Sequence, residues 1–300
     1  MELTWINKLR IAAVAALGIV VIGILAWPLA APADPLLPVR ASVIGFPGTL
    51  LLLVLALAIG FAGYFIAWPH GREIGILGVP FGLALWAGRS GPMQTLTQIR
   101  DETAERAALV QSLRMEPLYW MLLVAAGFAG VLLAQRLRKA PPNKVLEADA
   151  HSISKGPAGS IYANALLALG VSVVVSHFFL GVFVQNLAMS PNVAAQPDIG
   201  QIIFGVGAAF AVAGFIVRQV LGQSYILPAL SSLLVVGMAQ VLHYRSSTIE
   251  RFAETFPASF FPHSVFAIVP VQLVALGTLG SVLGFWIAVR YDWWRKHETV

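Results

Sequence analysis

The sequence predicts an all-α integral membrane protein, a bundle of about eight transmembrane helices with two extracytoplasmic amphipathic helices. Three observations predict it. Apolar residues make up 58% of the 300 and mean hydropathy is +0.80, outside the range of soluble globular chains. Charged residues are 11%, against roughly 25% in soluble domains, too few to solvate a water-facing surface. Several apolar stretches are also long enough to cross a hydrocarbon core of about 30 Å. No cysteine is present, which excludes disulfides, thiolate metal sites and cysteine catalysis. The net charge of +5 comes from basic residues lying mostly beside apolar spans. That pattern orients a membrane protein and points to no nucleic-acid partner.

The expected spans run in order over 11–30, 49–67, 74–88, 117–135, 161–188, 199–217, 225–243 and 264–289. The first follows Lys8 and Arg10 and precedes Ala31, Pro32 and Ala33, a pattern that a cleaved secretory signal would also show. Its length favours a retained helix. The third is the short one, since fifteen residues reach only about 22 Å at ~1.5 Å per residue. Whether it spans sets the orientation of everything after it. With eight spans and a cytoplasmic N-terminus, twelve Lys and Arg fall inside and seven outside; with 74–88 re-entrant the tally is nine to ten. Basic residues are retained on the cytoplasmic side, so eight spans are expected, with both termini cytoplasmic, in a cytoplasmic (inner) membrane.

On this topology the chain divides into a first membrane half (1–135), a cytoplasmic linker (136–158) and a second half (159–300). Each half has four spans, which suggests parallel repeats about an axis along the membrane normal. Local echoes agree: Ala15-Ala16-Leu17-Gly18-Ile19 resembles Leu167-Ala168-Leu169-Gly170-Val171, and Ala62-Gly63-Tyr64-Phe65-Ile66 resembles Ala213-Gly214-Phe215-Ile216. Chance matching of Ala/Gly/Leu/Val-rich helices is the competing explanation. The linker is polar and opens with Arg136, Arg138 and Lys139, a stop-transfer cluster that could also dock a protein partner or anionic lipid.

Two outer segments are amphipathic. Residues 93–115 place Leu96, Ile99, Thr103, Val110 and Leu113 on one side at three-to-four spacing, and Arg100, Asp101, Glu102, Glu105 and Arg106 on the other. The expectation is packing on the protein's own bundle, with partner docking as the alternative. Ser247 and Glu250 stand at capping-box spacing before Pro257, followed by Phe260 and Phe261 at the expected headgroup level.

The chemistry is sparse. All fourteen carboxylates fall in loops or at span ends, Glu73 and Glu116 nearest to lipid, which argues against an ion-coupled carrier built on a buried acid. Neither GxSxG nor HExxH nor a phosphate loop occurs, so no catalytic residue, metal ligand or cofactor is assigned. His177 stands well inside an apolar span and is a functional candidate by default. Counted from the cytoplasmic ends, His177 and His243 reach similar heights, about 24 and 28 Å, and could face each other. His263 could join only through tertiary folding. His177, Gln185, Asn186, Gln240, His243 and Gln272 are therefore the candidate cavity residues, and Pro80, Pro228 and Pro270 the candidate hinges. Three readings follow in order: a non-catalytic integral subunit or scaffold of a membrane assembly; a permease or channel for a small neutral solute; and a haem- or metal-binding membrane enzyme using His177 and His243.

Overall fold

The computed structural model of the chain describes residues 4–99, 103–138, 158–185, 187–190, 193–243 and 263–298. Seven of its helices are long and apolar enough to cross a membrane: Trp5–Leu25, Phe46–Ile66, Gln111–Leu137, Ile161–Phe183, Ile199–Leu221, Ile226–His243 and Pro270–Arg295. The protein is thus a multi-pass α-helical membrane protein. The one β element among the described residues is a small antiparallel hairpin of β1 (Leu187–Ser190) and β2 (Val193–Ala195). Because the chain turns into β1, the span expected over 161–188 ends at Phe183.

In chain order the helices are α1 (Trp5–Gly18), continued by π-helical turns over Ile19–Leu25, α2 (Phe46–Ile66), α3 (Gly78–Arg89), α4 (Met93–Ile99), α5 (Thr103–Leu113), α6 (Glu116–Leu137), α7 (Ala158–Phe183), α8 (Ile199–Leu221), α9 (Ile226–His243) and α10 (Pro270–Glu298). Local chemistry fixes several ends. The Asp198 carboxylate caps α8 by accepting from the Gly200 N–H, and Gly222 stops it in the left-handed region at φ 64°, a conformation that favours glycine. The short span expected at 74–88 is not one regular helix. A helical turn over Gly71–Ile74 and a 3-10 turn over Gly75–Leu77 precede α3, whose 12 residues reach only about 18 Å. Pro80 has no N–H to give to the Ile76 carbonyl, and the tight winding falls at that point.

Contacts define two ends of the bundle. At one end, Gly91 N–H donates to the Leu37 carbonyl, Val39 N–H to Ser90 Oγ, Arg40 meets Glu116, and Gln94 N–H donates to Gln196 Oε1. At the other, Tyr64 Oη donates to the Arg138 carbonyl, Arg72 and Glu73 lie near Tyr225, and Gln219 meets Asp292. Lys8, Arg10, Arg72, Arg136, Arg138, Arg218, Arg290 and Arg295 all lie toward this second end. Between Gly71 and Ser90 the chain passes from the second end to the first.

Helix α10 is the hub. Its apolar stretch is 78% buried, against 22–44% for the other six spans, and it packs on α8, α3, α9 and α6. Two seams of close backbone approach recur. A Cβ on Gly60 would strike the Gly127 carbonyl and one on Gly130 the Leu57 carbonyl, joining α2 to α6. A Cβ on Gly214 would strike the Ser281 carbonyl and one on Gly284 the Ala211 carbonyl, joining α8 to α10. One constant shift in numbering converts Leu57, Gly60, Gly127 and Gly130 into Ala211, Gly214, Ser281 and Gly284. The same shift carries Val14, Gly18, Ile22, Ala26 and Ala30 onto Ala168, Ser172, Ser176, Leu180 and Val184, and all ten are buried. This register departs from the sequence echoes, which paired Gly63 with Gly214 and Gly18 with Gly170. Gly170 is exposed with nothing near its missing Cβ.

In the amphipathic segment 93–115 Met93, Leu96, Leu109 and Leu113 are buried, whereas Ile99 is 63% exposed. The seam therefore faces the protein's own bundle, except at the end of α4. Residues 100–102, the 139–157 part of the linker and the capping-box segment at 247–257 lie outside the described residues.

Candidate metal centre

Three histidines from three segments meet at the first end of the bundle. His177 lies on α7 about two turns before its end and is 8% exposed. His243 is the last residue of α9, which packs along α7. Their Nε2 atoms are 3.3 Å apart. His263, just before the 3-10 turn Ser264–Ala267, stacks on both rings, with centroids 4.3 Å from His177 and 4.6 Å from His243. One ligating atom from each of the three lies within 4.8 Å of the others. The position of His263 is set locally. Ser264 Oγ donates to the Leu180 carbonyl of α7 at 3.0 Å, and Gly181 offers no side chain, so His263 Nε2 comes within 3.1 Å of where a Cβ would stand.

Burial, helped by the two neighbouring imidazoles, pushes His263 down to about 4. Its ring is therefore neutral at ordinary pH and keeps a lone pair for a metal. The 3.3 Å separation of the two Nε2 atoms matches a tetrahedral edge: ligands about 2.0–2.1 Å from a zinc ion stand about 3.3–3.4 Å apart. Neutral imidazoles suit Zn, Cu, Fe or Ni over Mg or Ca. The fit has a cost. The Val265 N–H donates to His263 Nδ1 at 3.3 Å, and a neutral imidazole that ligates through either nitrogen no longer has that lone pair, so ligation releases the Val265 amide. His177 Nδ1 and Ser176 Oγ are buried with no hydrogen-bond partner. A haem does not fit between His177 and His243, because 3.3 Å between nitrogens with a third ring stacked on both leaves no room for the macrocycle.

The other candidates do not converge here. Gln185 is exposed, and its carbonyl accepts from Gln201 Nε2. Asn186 lies outside the described residues, and Gln240 is half-buried. Gln272, 2% exposed, is tied up structurally: its Oε1 accepts from the Val269 N–H at the start of α10, and its Nε2 donates to the Ala87 carbonyl at the end of α3. Pro228 and Pro270 sit in the first turns of α9 and α10, where the missing N–H would have no helical partner anyway. They start helices and do not kink them. A cavity of about 110 Å³ is lined by Ile76, Met121, Phe128, Tyr225, Ala229 and Thr278 among others. None of the polar candidates lines it.

A second polar contact at the same end had no signal in the sequence. Arg40, from the connection between α1 and α2, donates to Glu116 Oε1 at 2.7 Å and to Ser112 Oγ at 2.9 Å. Glu116 is 7% exposed, and its Oε2 has no partner. It is sunk among helices but lines no part of the described cavity.

The histidines have no counterpart under the shift that relates the two seams. The position matching His177 is Gly23, whose carbonyl accepts from Arg89. No family model, curated protein or solved structure matches the chain.

Proposed function

We propose that the chain is a multi-pass membrane protein that holds a transition-metal ion between His177, His243 and His263 at its extracytoplasmic face. The carrying observation is the meeting of three imidazoles from separate segments, each with a ligating nitrogen within 4.8 Å of the other two. His177 and His243 hydrogen-bond each other through Nε2 at 3.3 Å, and an ion bound between them would replace that bond.

The orientation rests on the basic end being cytoplasmic. Both α1 and α10 have their outermost residues at that end, which an odd number of crossings cannot produce. The segment from Gly71 to Arg89 supplies the eighth crossing as a broken helix buried in the bundle. Parallel repeats in 1–135 and 159–300, joined by the linker 136–158, are supported by the common shift of the two glycine seams. The linker, through Arg136, Arg138 and Lys139, is the proposed docking segment for a protein partner or anionic lipid. No nucleic-acid partner is proposed.

A non-catalytic subunit of a larger membrane assembly is the second reading. It is favoured by the apolar character of the described cavity and the closed backbone seams. The permease reading has less support, since the cavity touches none of His177, Gln185, Gln240 or Gln272.

Metal analysis of chelator-stripped protein titrated with Zn²⁺ tests the metal reading. It predicts one ion per chain, with affinity falling by more than about 100-fold in His177→Ala, His243→Ala or His263→Ala, since ligand loss exceeds the 10–100-fold typical of a supporting residue. Zinc binding that is absent, or indifferent to all three substitutions, contradicts it.

A further inference from the structure

Resting on the metal reading, we infer that the centre is open and one-sided: it takes a small anion as its fourth ligand from the extracytoplasmic water, and its ion does not pass through the protein.

The charge balance supplies the first part. Three neutral imidazoles leave the full charge of a divalent ion uncompensated, and among the described residues the ligating group contains no carboxylate. A bare dication beside apolar helices is strongly disfavoured unless paired. The three ligands among the described residues leave one tetrahedral position for another ligand, the arrangement of zinc sites that bind water or substrate. A hydroxide or another small anion in that position completes the coordination and cancels half of the charge.

The surroundings supply the second part. His177 forms the buried floor, while His243 and His263 are only partly buried. Below the floor the described residues of the seam between α7 and α9 include no further His, Asp or Glu. Ala168, Val173, Val235, Val236 and Ala239 are all buried. Three of its serines are spent on their own helices: Ser172 donates to the Ala168 carbonyl, Ser231 to that of Pro228 and Ser232 to that of Ala229; Ser176 Oγ, beside His177, is the one without a partner among them. An ion leaving the histidines inward would shed its ligands into mostly apolar side chains, whereas the outward route passes His243 and His263, the two less buried ligands. The position in the first half that the shift relates to His177 and His243, with Gly23 and Arg89, holds no imidazole.

The test uses the full chain loaded with Co²⁺, whose visible spectrum reports coordination, in sealed vesicles of known sidedness. Azide is expected to shift the cobalt spectrum saturably. EDTA, which does not cross the bilayer, is expected to strip cobalt only when it faces the histidine end, and no cobalt is expected in the vesicle lumen. A His263→Ala protein that still folds is expected to lose the azide response together with tight cobalt binding. Bound cobalt that ignores azide overturns the open fourth position. Stripping from the opposite face, or cobalt accumulating in the lumen, overturns one-sidedness. Failure of the wild-type protein to bind cobalt or zinc refutes the metal reading itself and is thereby told apart from the other two results.

Discussion

Replacing Arg40 with methionine isolates one consequence of the fold that does not depend on any metal. Arg40 and Glu116 are 15% and 7% exposed and their charged atoms are 2.7 Å apart, so the pair is shielded from bulk water and its hydrogen bond is charge-assisted. Removing the guanidinium leaves a buried carboxylate whose Oε2 already lacks a partner, and it also frees Ser112 Oγ. Breaking a buried pair on one side costs about 3–5 kcal/mol. Removing both charges, in Arg40→Met with Glu116→Gln, is far milder, within about 1–2 kcal/mol of the native protein, because no uncompensated charge remains. Equilibrium unfolding in mixed micelles titrated with SDS reads both values. If Arg40→Met costs less than about 1 kcal/mol, as for an exposed pair, or if the double variant is as unstable as the single, the burial argument is wrong.

Three further outcomes follow from particular contacts. Gln272→Leu strands the Val269 N–H and the Ala87 carbonyl, and the same unfolding assay is expected to show a loss of at least about 2 kcal/mol, from two orphaned groups at 1–3 kcal/mol each; a loss below that would mean that neighbouring groups re-satisfy both. Gly214→Ala drives a Cβ against the Ser281 carbonyl and is expected to cost about 1–3 kcal/mol, whereas Gly170→Ala, on an open helix face, gains about 0.5–1 kcal/mol. Stability of the metal-free protein should also depend on pH through His263. Its folded pKa of about 4 lies below the unfolded 6.5, so between those values the unfolded chain binds more protons. Stability therefore falls as pH drops through that window and this contribution levels off below 4. Thermal unfolding at pH 7, 5.5 and 4 should show a shallower slope for His263→Gln, and an unchanged slope would assign the effect elsewhere.

Much of the architecture was legible because a bilayer permits few solutions. Uninterrupted apolar runs such as Phe46–Ile66 must hide their backbone in a helix, and clustered Lys and Arg mark one end. The 74–88 segment was harder, since Gly75, Gly78 and Pro80 let the chain wind irregularly and its apolar content says nothing about that. The common shift that relates the two glycine seams could not be read from look-alike letters. Gly63 and Gly214 match as text, but close approach to a partner carbonyl selects Gly60 and Gly214. At the site, helix rise alone brought His177 and His243 to one height, and they do meet. His263 follows His243 by a long polar connection with no fixed ligand spacing, so only tertiary contacts such as Ser264 with Leu180 could place it. Gln272 looked like a cavity residue because a mid-membrane amide usually serves solute. Instead it caps the unsatisfied start of α10, a need that composition does not reveal.

Metal content of the purified chain bears most directly on the central claim. Protein prepared in gentle detergent, stripped with chelator and re-equilibrated with one equivalent of Zn²⁺ is predicted to retain one zinc per chain after desalting, and the His177→Ala/His243→Ala/His263→Ala triple variant to retain none. Equal zinc in both preparations, or none in either, would contradict a tri-histidine centre.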